Sequence, residues 1–180
     1  YTPQVSTLEE REFYSYIGTS DAPYTGGFMN TFNYKFIDLS FNLSYSFGGY
    51  SYDNASYILQ DDGYSVISNK STEQRRRWQK PGDITDVPRF VYGNKKGGNY
   101  NSSRAIHSTD HIRLKSLILG LNAPKAWLQK LGIGNARIYF SGTNLLTWAA
   151  YDQYDPEMSG VVGFYTPPLK TYAFGLELKF

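Results

Sequence analysis

The sequence predicts an all-β chain of antiparallel strands. Three observations carry this: strict two-residue alternation, a heavy aromatic load, and the order of short and long connections. The alternation is clearest over Lys170 to Phe180. There Tyr172, Phe174, Leu176, Leu178 and Phe180 share one parity, and Thr171, Ala173, Gly175, Glu177 and Lys179 the other. Successive strand side chains point to opposite faces, so one face is wholly apolar and the other small or charged. Lipid outside and water inside a transmembrane β-barrel require that pattern, although a soluble sandwich strand also shows it. The chain holds 17 Tyr, 11 Phe and 3 Trp in 180 residues, yet its mean hydropathy is −0.47. That mixture suits polar lumen faces and loops combined with Tyr and Trp at membrane interfaces.

Composition removes several classes. Lys and Arg number 18 against 16 Asp and Glu, a net charge of +2, too balanced to argue for nucleic acid. Cysteine is absent, so neither disulfides nor thiolate metal sites hold the fold. No apolar run approaches the ~20 residues of a transmembrane helix, which leaves a barrel untouched.

Residues 1–23 read as a polar lead-in from the preceding part of a longer protein, with a short helical turn over Glu9 to Tyr16. Tyr24 to Tyr34 is the first strand, setting Phe28, Phe32 and Tyr34 against Gly27, Met29, Thr31 and Asn33. Lys35-Phe36-Ile37 is a tight turn. Asp38 to Phe47 is the second strand, with Leu39, Phe41, Leu43, Tyr45 and Phe47 opposing Asp38, Ser40, Asn42, Ser44 and Ser46. Residues 48–108 form a long loop punctuated by Gly48-Gly49, Asp61-Asp62-Gly63, Lys80-Pro81-Gly82-Asp83 and Asn94 to Asn99. Thr109 to Leu121 is the third strand. Its facing stays open, because Arg113 and Lys115 share a parity with Leu117, Leu119 and Leu121. Asn122 to Asn135 holds a helical turn with Pro124 at its first position, Trp127, Leu128 and Leu131 on one face and Gly132 as its stop. Ala136 to Thr147 is the fourth strand, with Ile138 and Phe140 opposing Arg137, Tyr139, Ser141 and Thr143. Trp148 follows as an interface anchor. Residues 149–169 are a second long loop, and the terminal strand completes the set.

The connections then run about 3, 60, 14 and 20 residues, short and long in alternation. Both long loops therefore leave one rim and both short turns the other, as in a bacterial barrel with periplasmic short turns and long extracellular loops. A soluble sandwich has no reason to obey that parity.

Several segments, in this order and spacing, resemble a known family. They are Ile112-Arg-Leu-Lys-Ser-Leu-Ile-Leu-Gly-Leu-Asn-Ala-Pro124, Trp127-Leu-Gln-Lys-Leu-Gly-Ile133 and Ala136-Arg-Ile-Tyr-Phe-Ser-Gly-Thr-Asn-Leu-Leu-Thr147. Tyr154-Asp-Pro-Glu157, Arg77-Trp78 with Pro81-Gly82-Asp83 and Pro88-Arg89, and Pro23-Tyr-Thr-Gly-Gly27 add to them. Together they look like the C-terminal region of SusC/RagA-type TonB-linked outer-membrane transporters. The resemblance implies that residues 24–180 are a five-strand segment, roughly a quarter of a ~22-stranded barrel. It also implies location in the bacterial outer membrane and import of oligosaccharides or peptides with a SusD-like surface lipoprotein. By the same resemblance TonB would be met through an N-terminal part, and because five strands alone leave unpaired edges in lipid, the chain reads as the C-terminal part of a longer polypeptide. No enzymatic activity and no cofactor is implied. The alternative is a secreted soluble β-sandwich carbohydrate-binding module, which needs no detergent.

Candidate residues follow from these readings. Arg113, Lys115, Arg137 and Tyr139 are candidates for the lumen or for solute contact, with neutralisation of neighbouring acids as their plainer role. The stripe Tyr172, Phe174, Leu176, Leu178 and Phe180 faces outer-membrane lipid and is a candidate signal for the barrel assembly machinery. Deleting Phe180 is expected to abolish membrane insertion, and normal insertion of a chain ending at Lys179 would refute a signalling role. Arg75-Arg76-Arg77-Trp78 reads as a solvated loop anchored by Trp78. Asp155-Pro156-Glu157 reads as a turn with exposed acids. His107 and His111 lie ~13 Å apart along an extended strand, too far to share a zinc ion.

Overall fold

The computed structural model describes residues 15–94 and 103–180. In chain order its elements are β1 (Tyr24–Tyr34), β2 (Ile37–Phe47), β3 (Tyr50–Asp53), α1 (Asn54–Leu59), β4 (Ile106–Ser108), β5 (His111–Asn122), α2 (Lys125–Leu131), β6 (Asn135–Ala149), β7 (Gly160–Val162) and β8 (Thr171–Lys179). They divide between two compact units. The helical turn expected over Glu9 to Tyr16 and the turn over Asn94 to Asn99 lie largely outside the described residues.

One unit comprises Ala22–Gly48, Thr109–Glu157 and Thr166–Phe180. Its frame is a five-stranded antiparallel sheet in the order β1-β2-β5-β6-β8. Tyr34 pairs with Ile37, so the first turn is only Lys35-Phe36, one residue shorter than expected. Lys35 adopts φ 54, the positive φ that a two-residue hairpin needs at its first central position. In the connection from β5 to β6, Pro124 is the N-cap of α2 rather than its first helical residue, and Gly132 ends the helix at φ 68. Leu128 is buried and Trp127 exposed, so these two do not share an environment.

The parity slip in the third strand is a bulge. Leu43 pairs with Leu114 and Asn42 with Ser116, leaving Lys115 without a partner in β2. That one extra residue reverses the parity beyond it. Ile112, Leu114, Leu117, Leu119 and Leu121 therefore lie opposite Tyr45, Leu43, Phe41, Leu39 and Ile37 on one face. Arg113, Ser116, Ile118 and Gly120 oppose Ser44, Asn42, Ser40 and Asp38 on the other. The facing that the sequence left open is thereby set: Arg113 lies on the face opposite Leu117, Leu119 and Leu121. A matching irregularity in β6 places Asn144 at φ 52.

The apolar face runs across all five strands. Phe28 and Phe32 lie 5.9 and 6.2 Å from Phe41, and Phe140 lies 6.3 and 5.2 Å from Tyr172 and Phe174. It is uncovered: Phe174 is 81% exposed, where a sandwich would bury it. From Ile112 to Leu121 the row spans about 30 Å along the strand, or about 23 Å in height at a ~40° tilt, matching a barrel's apolar band. The β1–β2 and β5–β6 connections leave one end of the sheet, and the β2–β5 and β6–β8 connections the other.

The second unit comprises the described residues within 1–21, 49–108 and 158–165. The expected featureless loops contain structure: β3 pairs antiparallel with β4 and parallel with β7. Asp53 caps α1, its Oδ1 accepting from Ser56 N at 2.8 Å and its Oδ2 from the Ser56 hydroxyl at 2.6 Å. Gln74 donates to the carbonyls of Gln60 and Asp61 at 2.6 and 3.1 Å, and Lys70 pairs with Asp61. Val87 and Val162 are its most deeply buried apolar residues. The basic cluster lies at a 3-10 turn over Thr72–Arg76, and Trp78 N donates to Val87 O at 2.9 Å.

Burial holds the His107 imidazole below its ordinary pKa of 6.5, with the Asp53 carboxylate opposing the shift. Below pH 6.5 the unfolded chain takes up a proton that the folded unit resists, so stability falls as pH drops through 6.5 towards the depressed value. The hydrogen-exchange protection of β3 and β4 amides, taken relative to the intrinsic rate at each pH, should fall between pH 7 and 5. A His107→Gln variant should lose most of that dependence; unchanged dependence assigns it elsewhere.

Candidate functional site on the polar face of the sheet

The polar face carries two charge clusters, one near each end of the sheet. At the short-turn end, Arg137 of β6 reaches across β5 to Asp38 of β2. Its Nη2 donates to Asp38 Oδ2 at 2.6 Å and its Nε to Oδ1 at 3.2 Å, a bidentate grip. Asn122 Nδ2 donates to the same Oδ1 at 2.8 Å, and Arg137 Nη1 to Glu177 Oε1 of β8 at 3.2 Å. The guanidinium lies 5.1 Å from the Tyr139 ring centroid, and that ring lies across Gly175. One arginine thereby ties β2, β6 and β8 together.

The reach over β5 depends on Gly120. A Cβ there would stand 2.4 Å from both Asp38 carboxylate oxygens. Gly120→Ala should therefore displace the carboxylate from Arg137 and cost about 1–3 kcal/mol, the usual scale for overpacking. The check is the unfolding midpoint of the folded protein in detergent; a change within error would show that Asp38 moves aside freely.

At the long-loop end, Arg113 of β5 is buried, with a side chain only 4% exposed. Its Nη2 donates to Asp155 Oδ1 at 2.6 Å and its Nη1 to Glu157 Oε2 at 3.0 Å. The bulged Lys115 also pairs with Glu157. His111 Nδ1 donates to Thr109 O at 2.8 Å, leaving Nε2 3.8 Å from Glu157 Oε1. The Asp155 side chain is 6% exposed, so the expected turn with exposed acids is corrected for Asp155, which Arg113 neutralises, while Glu157 remains exposed.

The structure thus brings Arg137 and Tyr139 together at one end, and Arg113 and Lys115 at the other. All four lie on the polar face, and the three cations among them are engaged by acids of this chain. Asp38, Asn122, Gly120 and Glu177 were not singled out in the sequence. Their one signal was polar or small character at the parity opposite an apolar stripe. Trp148 is exposed on the apolar face beside Ile112 at the long-loop end. Tyr172, Phe174, Leu176 and Leu178 occupy the same face of β8, and Phe180 follows its last strand residue.

No family model matches the chain. It is similar to TonB-dependent receptor P3 of Formosa agariphila, 30% identical over 98% of this chain and 18% of that protein. TonB-dependent receptor P26 of the same organism is 32% identical over 79% of the chain and 15% of its own length. Among solved structures, the RagAB peptide transporter matches with a TM-score of 0.79, 27% identity and coverage of 92% of this chain and 18% of the other. The RagAB peptide importer in its closed-closed and open-open states matches with TM-scores of 0.77 and 0.75. The chain thus spans less than a fifth of the relatives it matches. An uncovered apolar face, an ion-paired polar face and these likenesses agree: the chain belongs to the SusC/RagA-type TonB-dependent receptors of the bacterial outer membrane, as a stretch of their β-barrel.

Proposed function

We propose that the chain supplies wall, lumen lining and loops to a TonB-driven importer of peptides or oligosaccharides, working with a SusD-like surface lipoprotein. The observation that carries this reading is the two-faced sheet: its uncovered apolar side suits lipid, and its polar side holds fixed charges towards a lumen. Similarity to the RagAB peptide transporter favours peptides over oligosaccharides. Arg113 and Arg137 are held by buried or bidentate acids and serve the wall, whereas Lys115, paired with the part-exposed Glu157, and Tyr139 are the better positions for solute contact. The role is non-enzymatic: an outer-membrane conduit needs no bond made or broken in its cargo. The alternating face of β8 serves the assembly machinery as its recognition strand.

Deleting the receptor gene in its host and following labelled peptides and oligosaccharides tests the reading. Uptake of one class should fall, and a protonophore should mimic the deletion. Undiminished uptake of both classes would sink it. Affinity purification of the full receptor in mild detergent should also retain a surface lipoprotein.

A further inference from the structure

The short-turn end of the sheet presents cations and aromatic rings in a pattern that neither charge cluster uses. Lys35 and Phe36 form the first turn, and Lys125 and Trp127 belong to α2 in the second. Phe36 O accepts from Asn122 N at 2.7 Å, which fixes the start of the second connection beside the first turn. Lys35, Phe36 and Lys125 are exposed, Trp127 is 68% exposed, and the Lys35 ammonium lies 5.2 Å from the Tyr34 ring centroid. Neither residues 34–36 nor residues 123–135 include Asp or Glu. The nearest acids along the neighbouring strands, Asp38 and Glu177, are both held by Arg137 on the polar face. Among the described residues, neither Lys35 nor Lys125 makes an ion pair with an Asp or Glu side chain.

From this charge pattern we infer that the short-turn rim binds the phosphate headgroups of anionic phospholipids in the periplasmic leaflet. The inference rests on the membership and membrane placement argued above, since short turns of such barrels face the periplasm. Aromatic rings at the edge of the apolar band sit at headgroup depth, and lysine stems extend their ammonium groups into that layer. An anionic headgroup supplies the missing charge, and each lysine near such a surface favours it by about fivefold, so the pair by about thirtyfold.

The test is native mass spectrometry of the full receptor, purified from outer membranes and titrated with phosphatidylglycerol or phosphatidylcholine of the same chains. Wild type should retain phosphatidylglycerol adducts in marked preference. K35Q/K125Q should lose most of that preference and K35R/K125R should keep it. Equal retention of both lipids, an unchanged preference in K35Q/K125Q, or a loss in K35R/K125R equal to that in K35Q/K125Q overturns the inference alone. Recovery of the receptor only from the soluble fraction overturns the membrane placement as well.

Discussion

Replacing Arg113 by Met is expected to destabilise the folded receptor by about 3–5 kcal/mol, the scale for stranding a buried charge. The substitution nearly preserves side-chain volume, so the loss would be electrostatic. Asp155 would keep one backbone donor, the Glu157 N–H at 2.9 Å, but lose the cation that makes its burial tolerable. Glu157 would suffer less, because Lys115 still pairs with it and its side chain is 31% exposed. The ordering of effects is therefore specific: Arg113→Met should be severe and Lys115→Met mild, within about 1 kcal/mol. The double variant R113M/D155N should recover part of the loss, because the stranded charge is gone. Urea or thermal unfolding of the four proteins in the same detergent decides it. If R113M/D155N is no more stable than R113M, the cluster acts through packing, and the charge reading fails.

This cluster also marks where sequence reasoning stops. Arg113 was visible as a cation in a strand, and Asp155 and Glu157 as acids in a connection. Nothing local says that they meet across more than forty positions, separations of 42 and 44 residues. The parity slip at Lys115 was legible, but alternation alone cannot tell a bulge from a strand that changes role. The partner register settles it, because Leu43 and Asn42 flank the skipped residue. Arg137 and Asp38 are separated by 99 positions and by an intervening strand, and their contact requires a glycine at position 120.

β2 and β8, by contrast, could be read directly. Each buries no side chain deeply, so lipid on one face and polar surroundings on the other impose the period-two pattern without competition from a core. The small sheet of β3, β4 and β7 was hidden for the opposite reason. Its strands are three or four residues long, and the parallel pairing of Ser51 with Gly160 joins distant segments that carry no shared pattern. Strands that short give alternation too few positions to stand out.

The outward stripe makes the second large prediction, tested at adjacent positions of β2. Phe41 lies opposite Leu117, near the middle of the apolar row, and its ring meets Phe28 and Phe32. Asn42, the next residue, faces the polar side opposite Ser116. An arginine at Phe41 would place a cation near the bilayer midplane, where lipid-facing substitutions cost about 2–4 kcal/mol. Loss of the two ring contacts adds about 1 kcal/mol. Phe41→Arg should therefore cost roughly 3–5 kcal/mol and deplete folded receptor from the outer membrane. Asn42→Arg carries the same charge one residue on and should cost under about 1 kcal/mol, since the polar face accepts it. Phe41→Leu separates the two contributions: it keeps the apolar surface and loses only the rings. The measurement is the fraction of heat-modifiable, protease-resistant receptor in outer-membrane preparations, with unfolding midpoints for the variants that assemble. Equal damage at both positions would mean that both faces are packed against protein, and the lipid-facing assignment of this sheet would fall. Damage at Phe41 alone would fix which side of the sheet meets lipid, and with it the side on which Arg113, Lys115, Arg137 and Tyr139 line the interior.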